Sequence, residues 1–310
     1  MASVVVEEGG QTLAGIVRGA LSLPWSKAKA LCSSGRVYVD GEAARDPALR
    51  VEVGATVEVD PTAPRERTGV LPKEAVVYED TDILVVTKPA GTLTVPYREE
   101  KDTLSDQARA YLRRGGRRNR RDPMIGVVQR LDKSTTGVLV FARTMKAKRA
   151  LEDQLRAHTV HRRYLAIVHG AARSARYESS ILQDRGDGLR GSWGTQPKHH
   201  GRPPKSAKPS VTHVSMRENL RGATLLECRL ETGRQHQIRI HLAEAGHPLV
   251  GERVYIRDYR HERIEAPRPM LHAVELGFDH PRTGEAVRFR VELPEDFEAM
   301  RSLLRAPARG

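Results

Sequence analysis

Apolar residues return at helical spacing at Leu13, Ile16, Val17 and Leu21, which predicts a helix with one face turned into a core. A second short helix is predicted through Ala28, Ala30 and Leu31, with Ser26 as its N-cap and Gly35 as its end. Val37-Tyr38-Val39, the turn pair Asp40-Gly41 and Thr56-Val57-Glu58-Val59 then read as strands built around a hairpin. Together these elements predict a small α/β unit over residues 11–60. Residues 61–72 carry prolines at both ends and Arg65, Glu66 and Arg67 between, with no hydrophobic period, and read as a linker.

The pattern resumes with Val76-Val77-Tyr78 and Ile83-Leu84-Val85-Val86, split by Glu79-Asp80-Thr81-Asp82 in the manner of a hairpin. Thr103 is placed to cap a helix through Leu104, Ala108, Tyr111 and Leu112, and Thr144 another through Ala147, Leu151 and Leu155. Val138 to Ala142 is an apolar run of buried-strand length, and Gly137 before it is expected to let the chain turn tightly. Short strands outnumber helix-length periods, so residues 73–300 are expected to form an α+β domain on a largely antiparallel sheet. Residues 184–210, rich in Gly, Pro, Lys and His, are expected to be a mobile loop or insertion. No internal repeat is visible.

At 310 residues the chain is long enough for about two domains, and its net charge of +13 favours a polyanionic partner. The cations cluster, from Arg113 to Arg121 and again from Lys198 to Lys208, which makes nucleic acid the leading candidate, with a solvated basic loop as the plainer alternative. The first residues, Met1 to Glu8, lack the pattern of a secretory signal, and no apolar stretch has the length needed to cross a bilayer. Cys32 and Cys228 lie far apart in apolar company, as expected of reduced thiols in a cytoplasmic protein. His236 with His241, His158 with His161 and His199-His200 invite a metal reading, but none has zinc-ligand spacing, so no metal is expected.

Three segments carry candidate chemistry. In Gln129-Arg130-Leu131-Asp132-Lys133-Ser134-Thr135-Thr136-Gly137, Asp132 stands alone between cations, which suits either a reacting carboxylate or a charged turn before a strand. Thr232 to His241 packs two guanidiniums, two imidazoles and two side-chain amides into one short stretch, a density suited to a polar ligand. Lys88-Pro89-Ala90-Gly91-Thr92-Leu93-Thr94-Val95-Pro96 follows the apolar run Ile83 to Val86, so a strand ends in a Pro/Gly loop of the kind that carries function.

All three segments together resemble the RluA-type pseudouridine synthases, and the likeness continues through Arg163-Tyr164-Leu165-Ala166, His247 to Gly251 and Pro269 to Ala273. The resemblance implies a pseudouridine synthase fold with a mostly antiparallel mixed sheet and a central cleft. It also implies isomerisation of uridine in structured RNA, with large-subunit ribosomal RNA as first choice and transfer RNA open. Asp132 matches the family's carboxylate, acting as nucleophile or as the base that starts elimination, Arg239 the cation paired with it, and Tyr164 the tyrosine that stacks on the flipped uracil and takes a proton from its carbon five. Arg130 matches the arginine that fills the vacated stack, Leu271 an apolar residue near the carboxylate, and Arg234 a further contact to RNA. The chemistry requires no cofactor, and a monomer is expected. Gln129 stands where the family usually has histidine, and Thr136 where serine is common.

Residues 11–60 resemble the small RNA-binding module first described in a small-subunit ribosomal protein, the "S four" domain, on Ser26-Lys27, Gly35 to Gly41 and Val53 to Val57. That likeness implies that Lys27, Lys29 and Arg36 contact RNA, although Gln11-Thr12-Leu13 replaces the usual Arg-Leu-Asp opening. An RNA-binding protein without catalysis would explain the charge and this module equally well. A glycoside hydrolase would also use a carboxylate at a sugar carbon, but needs a second one, and no equivalent motif supplies it.

Overall fold

The computed structural model describes residues 2–7, 10–33, 36–44, 46–60, 69–97, 100, 102–115, 123–195, 199 and 201–305. Residues 61–68 of the expected linker, Gly35, residues 117–121 of the arginine cluster and Lys198 lie outside these. The chain divides into two compact units, Met1–Val70 with Pro96–Ala110, and Leu71–Val95 with Tyr111–Gly310.

In the smaller unit, strands β1 (Ala2–Val5), β2 (Val37–Val39), β3 (Glu42–Ala43) and β4 (Thr56–Val59) form one antiparallel sheet in the order β1-β4-β2-β3. Helices α1 (Leu13–Leu21) and α2 (Trp25–Ser33) complete it. Thr12 caps α1, its hydroxyl accepting from the Gly15 N–H at 3.3 Å, a cap the pattern of Gln11-Thr12-Leu13 did not announce. Ser26 is not a cap: the Pro24 carbonyl already accepts from the Lys27 and Ala28 N–H groups, so Ser26 sits within the first turn of α2. The Asp40-Gly41 pair closes the β2–β3 hairpin as expected, with Tyr38 opposite Ala43. β1 was not anticipated; it pairs with β4 from Ala2 opposite Val59 to Val5 opposite Thr56. An apolar core is built here from Leu13, Ile16, Val17, Ala28, Cys32, Val37, Val57 and Val59 among others.

Helix α3 (Leu104–Gly115) starts at Thr103, whose N–H and hydroxyl both donate to the Asp106 carboxylate, at 3.2 and 2.8 Å. The capping contact therefore runs opposite to the expected sense, with the side chain at the third helical position reaching back.

The larger unit holds β5 (Val76–Glu79), β6 (Ile83–Lys88), β7 (Gly126–Val127), β8 (Thr136–Ala142), β9 (His161–His169), β10 (Ala175–Leu182), β11 (Gly191–Ser192), β12 (Lys208–Leu220), β13 (Ala223–Leu230), β14 (Leu271–Asp279) and β15 (Ala286–Arg290). They form one eleven-stranded sheet ordered β11-β10-β12-β13-β9-β14-β8-β6-β5, with β15 added to β14 and β7 to β8. Among the described residues only the β14–β8 pairing is parallel, His272 opposite Thr136 and Ala273 opposite Gly137. Helices α4 (Met145–Arg156), α5 (Gln237–Glu244) and α6 (Glu295–Leu304) cover it. On α4, Ala147 and Leu151 pack with Val138, Val140, Ile83 and Val85, while Phe297, Met300 and Leu304 of α6 join Ile167 and Leu225. Thr144 caps α4 as expected, accepting from the Ala147 N–H at 3.1 Å.

Two expectations are corrected. Gly137 does not make the turn; it lies within β8 at φ 122°, where a Cβ would fall 2.2 Å from the Ala273 carbonyl oxygen, so glycine is required by the close approach of β14. The turn itself is made earlier, where the Thr135 N–H donates to the Asp132 carbonyl at 3.0 Å. Residues 184–210 are not one loop: they include β11 and the first residues of β12, held by backbone pairing of Ile181 with Ser192 and of Ser179 with Ser210.

Candidate active site

Asp132 sits at the end of a loop gripped from the strand before it. At the end of β6, the buried Lys88 ammonium donates to the carbonyls of Pro89, Thr92 and Lys133 at 2.8, 2.7 and 2.9 Å. The Gly91 N–H donates to the same Lys133 carbonyl at 2.9 Å. On the other side of Asp132, the Thr94 hydroxyl donates to the Leu131 carbonyl at 2.9 Å and accepts from its N–H at 3.2 Å. The residues immediately before and after the carboxylate are therefore fixed by the Pro/Gly loop. Burial pulls the Lys88 ammonium down to about 7, with Asp132 pulling the other way, yet its three N–H groups match three carbonyls, and losing a proton would strand one acceptor.

The second half of the polar stretch 232–241 is helix, from Gln237 on, and its side chains divide between tasks. Gln237 and His241 turn inward: Gln237 bonds Thr232, Val211, Thr212 and the Arg234 N–H, and His241 bonds Thr212 and Ser179. Burial takes the His241 imidazole down to about 4, so it is neutral packing and no ligand for substrate. Two of the six groups expected to meet a ligand, Gln237 and His241, thus serve the fold.

Two others, Arg239 and His236, face Asp132. The Arg239 Nη1 lies 3.7 Å from Asp132 Oδ2, and the His236 Nε2 lies 3.8 Å from Asp132 Oδ1. Arg239 also makes two parallel bonds to Glu252, Nε to Oε2 at 2.8 Å and Nη2 to Oε1 at 2.7 Å. Burial opposes the charge on Arg239, but the bonds and charge of Glu252, with Asp132 behind them, hold its pKa above the ordinary arginine range. Glu252 has no exposed side chain and takes further bonds from the N–H groups of Arg253 and Val254 at 3.0 and 2.9 Å. Burial works against its ionised form and is overcome by Arg239 and the backbone donors, so its pKa is lowered. His236 has a left-handed backbone, φ 60°, and its Nδ1 bonds the Tyr255 hydroxyl at 2.7 Å, over whose ring Arg239 also lies. Burial, with Arg239, keeps the His236 imidazole below its ordinary pKa despite Asp132.

Tyr164 is buried in β9 between Cys228 of β13 and Ala273 of β14, beside the bulge where β14 shifts register between Ala273 and Glu275. Burial raises its hydroxyl above the ordinary value, Asp132 adds to this and Arg162 opposes it, so it stands as a neutral phenol. Leu271 is buried at the start of β14, and Arg130 is exposed next to Leu131 and Asp132. Arg234 is exposed as well, its Nε donating to the Pro209 carbonyl at 3.1 Å. In the smaller unit Lys27 and Lys29 are exposed on α2, while Arg36 is half-buried before β2. Thr136, the hydroxyl in place of the common serine, bonds His272 Nδ1 at 2.8 Å.

Sequence reasoning singled out neither His236, Glu252 nor Tyr255 as site residues, and did not see that Lys88 and Thr94 hold the loop. Glu252 follows His247 to Gly251 directly, and an acidic residue continuing so apolar a segment was the available signal. The second carboxylate sought for sugar hydrolysis is present, but it is buried and held by Arg239 and backbone donors in its ionised form, so it has no proton to give a leaving group. Cys228, pushed up to about 12 by burial, is inert packing beside Tyr164.

The RNA pseudouridylate synthase family model matches residues 82–244, and the S4 domain model matches residues 23–57. A ribosomal large subunit pseudouridine synthase D of Xanthomonas campestris is 37% identical over 296 residues, covering 88% of this chain and 82% of the relative. A protein of the same name from Zymomonas mobilis is 36% identical over 301 residues, covering 89% and 88%. A solved structure, human RNA pseudouridylate synthase domain containing 4, aligns with a TM-score of 0.60 at 19% identity over 76% of this chain and 95% of that one, a likeness of fold. Model and relatives span the segments that bring Asp132, Tyr164 and Arg239 together, and the chain belongs to the RNA pseudouridylate synthases, enzymes that isomerise uridine in RNA.

Proposed function

We propose that the chain isomerises uridines of large-subunit ribosomal RNA, with Asp132 as the carboxylate at the reacting sugar. The target is supported by the names of its relatives, and the assignment of Asp132 by one observation. Within the buried cluster, Glu252 is saturated by Arg239 and the backbone, while Asp132 is met only at 3.7 and 3.8 Å and keeps its side chain partly open to solvent. It is the acidic group free to meet a substrate.

Breaking the bond between the anomeric carbon and uracil nitrogen leaves positive charge on the sugar, which a carboxylate stabilises, by attack at that carbon or by removing the neighbouring sugar proton. Arg239, fixed by Glu252, orients Asp132 for either route. The target base must first leave its stack, and exposed Arg130, beside the carboxylate, fills the gap, while Tyr164 and Leu271 provide the apolar walls against which the base lies. Once the base has rotated and rejoined through carbon five, that carbon loses its proton. We assign this proton to Tyr164, a neutral phenol whose oxygen takes it as its own proton passes to the Asp132 carboxylate, which is ionised again once the new carbon–carbon bond has formed. Lys27, Lys29, Arg36 and Arg234 contact RNA phosphates in this reading. All the groups assigned at the reacting carbon come from one chain, so a monomer suffices.

Asp132→Asn retains shape and removes the charge. Tritium release from RNA labelled at carbon five of uridine should fall by roughly a thousandfold, about 4 kcal/mol, with RNA affinity kept. A folded variant that turns over at about a tenth of the normal rate or faster would refute the assignment.

A further inference from the structure

The turn between β10 and β11 carries an arginine that the reaction as described does not use. This turn is firmly built. The Arg185 N–H donates to the Leu189 carbonyl at 2.7 Å, and the Asp184 carboxylate accepts from the N–H groups of Gly186 and Gly188 at 2.6 and 3.0 Å. Arg185 pairs with Asp187 at 3.0 Å, and a Cβ on Gly191 would fall 2.4 Å from Arg185 Cδ, so the residue after Arg190 has to be small. β11 is then tied to β10 by Ile181 opposite Ser192, and to α5 by the Ser192 N–H donating to Glu244 Oε1 at 2.8 Å. Ile181, Ile240 of α5 and Tyr255 share one apolar cluster. The hairpin thus holds Arg190, immediately before β11, in a fixed place relative to the helix that carries Arg239 and starts at His236.

From that place its charge reaches both the His236 imidazole and the Tyr255 hydroxyl, the two groups joined beside Asp132. Arg190 is half-buried, and among the described residues no carboxylate pairs with it. Arg185 of the same turn and Arg239 of α5 differ: Arg185 has Asp187 and Arg239 has Glu252.

A polyanion approaching this site meets the carboxylates of Asp132 and Glu252, the Arg239 guanidinium committed to Glu252 by two bonds, the buried Lys88 ammonium spent on three carbonyls, and exposed Arg130, assigned above to the vacated stack. Among the described residues Arg190 is a further cation not engaged by a carboxylate, and a guanidinium offers the planar fork that matches phosphate oxygens. We propose that Arg190 binds a backbone phosphate flanking the target uridine, setting the strand so that the flipped nucleotide meets Asp132. The proposal rests on the assignment of Asp132 above and adds a subsite to it, delivered by the segment 184–190.

The test uses the full chain with Arg190→Gln and Arg190→Lys, measuring tritium release from RNA labelled at carbon five across RNA and salt concentrations. Arg190→Gln should raise KM about tenfold at low salt and leave the single-turnover rate at saturating RNA within about twofold. Its binding should depend on salt less steeply by about one unit, and Arg190→Lys should restore most of that slope because the charge returns. An unchanged KM and slope in Arg190→Gln, with the unaltered enzyme releasing tritium normally, would overturn the phosphate subsite alone. A lower saturated rate with unchanged KM would overturn it too, placing Arg190 on the chemistry. Absence of release by the unaltered enzyme would sink the assignment of Asp132, and the subsite with it.

Discussion

The two units of the chain place their charges in opposite ways. In the smaller one the four-stranded sheet and its two helices pack a core of apolar side chains, and the cations Lys27 and Lys29 stand exposed on α2. The larger one buries Lys88, Arg239, Glu252, Gln237, His241 and His272 and satisfies nearly every polar atom among them. Holding a phosphate backbone needs only charge at a surface, which costs the core nothing. Acting on a sugar carbon needs a carboxylate fixed to a fraction of an ångström, and fixing it takes buried polar partners that would be destabilising if any one were missing. The difference explains why substitutions in the two regions should fail differently.

The largest effect expected after Asp132 itself is at Tyr164. Tyr164→Phe retains the ring and removes the hydroxyl, so turnover should fall by about a hundredfold with RNA affinity unchanged, as measured by tritium release and filter binding. Normal turnover would reduce Tyr164 to packing. Glu252→Gln should cost both stability and rate: it leaves the Arg239 charge buried without its partner, at roughly 3 kcal/mol in chemical denaturation, and frees Arg239 to swing from Asp132. A variant of unchanged stability would show that the pair is not a support of the site.

Acid should separate the units. Burial takes His241 and His272 down to about 4, so between the ordinary histidine value and that point the unfolded chain binds protons that the folded one does not. Stability of the larger unit is therefore full above about 6.5 and drains away as pH falls towards 4, by roughly 3 kcal/mol for each histidine. No histidine precedes His158 in the sequence, so the smaller unit lacks this term. Hydrogen exchange followed through the same pH range should show the larger unit opening first; loss of both together would contradict it. The smallest effect belongs to the surface. Lys27→Glu with Lys29→Glu should leave folding untouched and make the salt dependence of RNA binding shallower by about two units.

Much of this was legible in the sequence, for reasons that also mark where it stopped. Helix α1, the β2–β3 hairpin and the cap at Thr144 follow from local spacing and turn chemistry, which act between residues a few positions apart. The α+β class, the mostly antiparallel sheet and the family were equally readable, since the motifs around Asp132 and Arg239 are long. Contacts between distant segments were not. Gly137 looks like a turn residue until Ala273 is seen 136 positions on, pressed against it. Arg239 reads as the partner of Asp132, but nothing local shows that Glu252 grips it more closely than Asp132 does. Gln237 and His241 appear to await a ligand, because nothing local shows that Thr212 and Ser179 already occupy them.

One measurement sets the two regions directly against each other: the single-turnover rate of tritium release at saturating RNA, for Asp132→Asn and for Lys27→Glu with Lys29→Glu. If chemistry resides in the buried cluster and binding on the surface, the first variant should bind RNA normally and react roughly a thousandfold more slowly. The second should need more RNA and, once saturated, react at the full rate. A saturated rate that falls with the surface lysines, or that survives the loss of the Asp132 charge, would contradict the account.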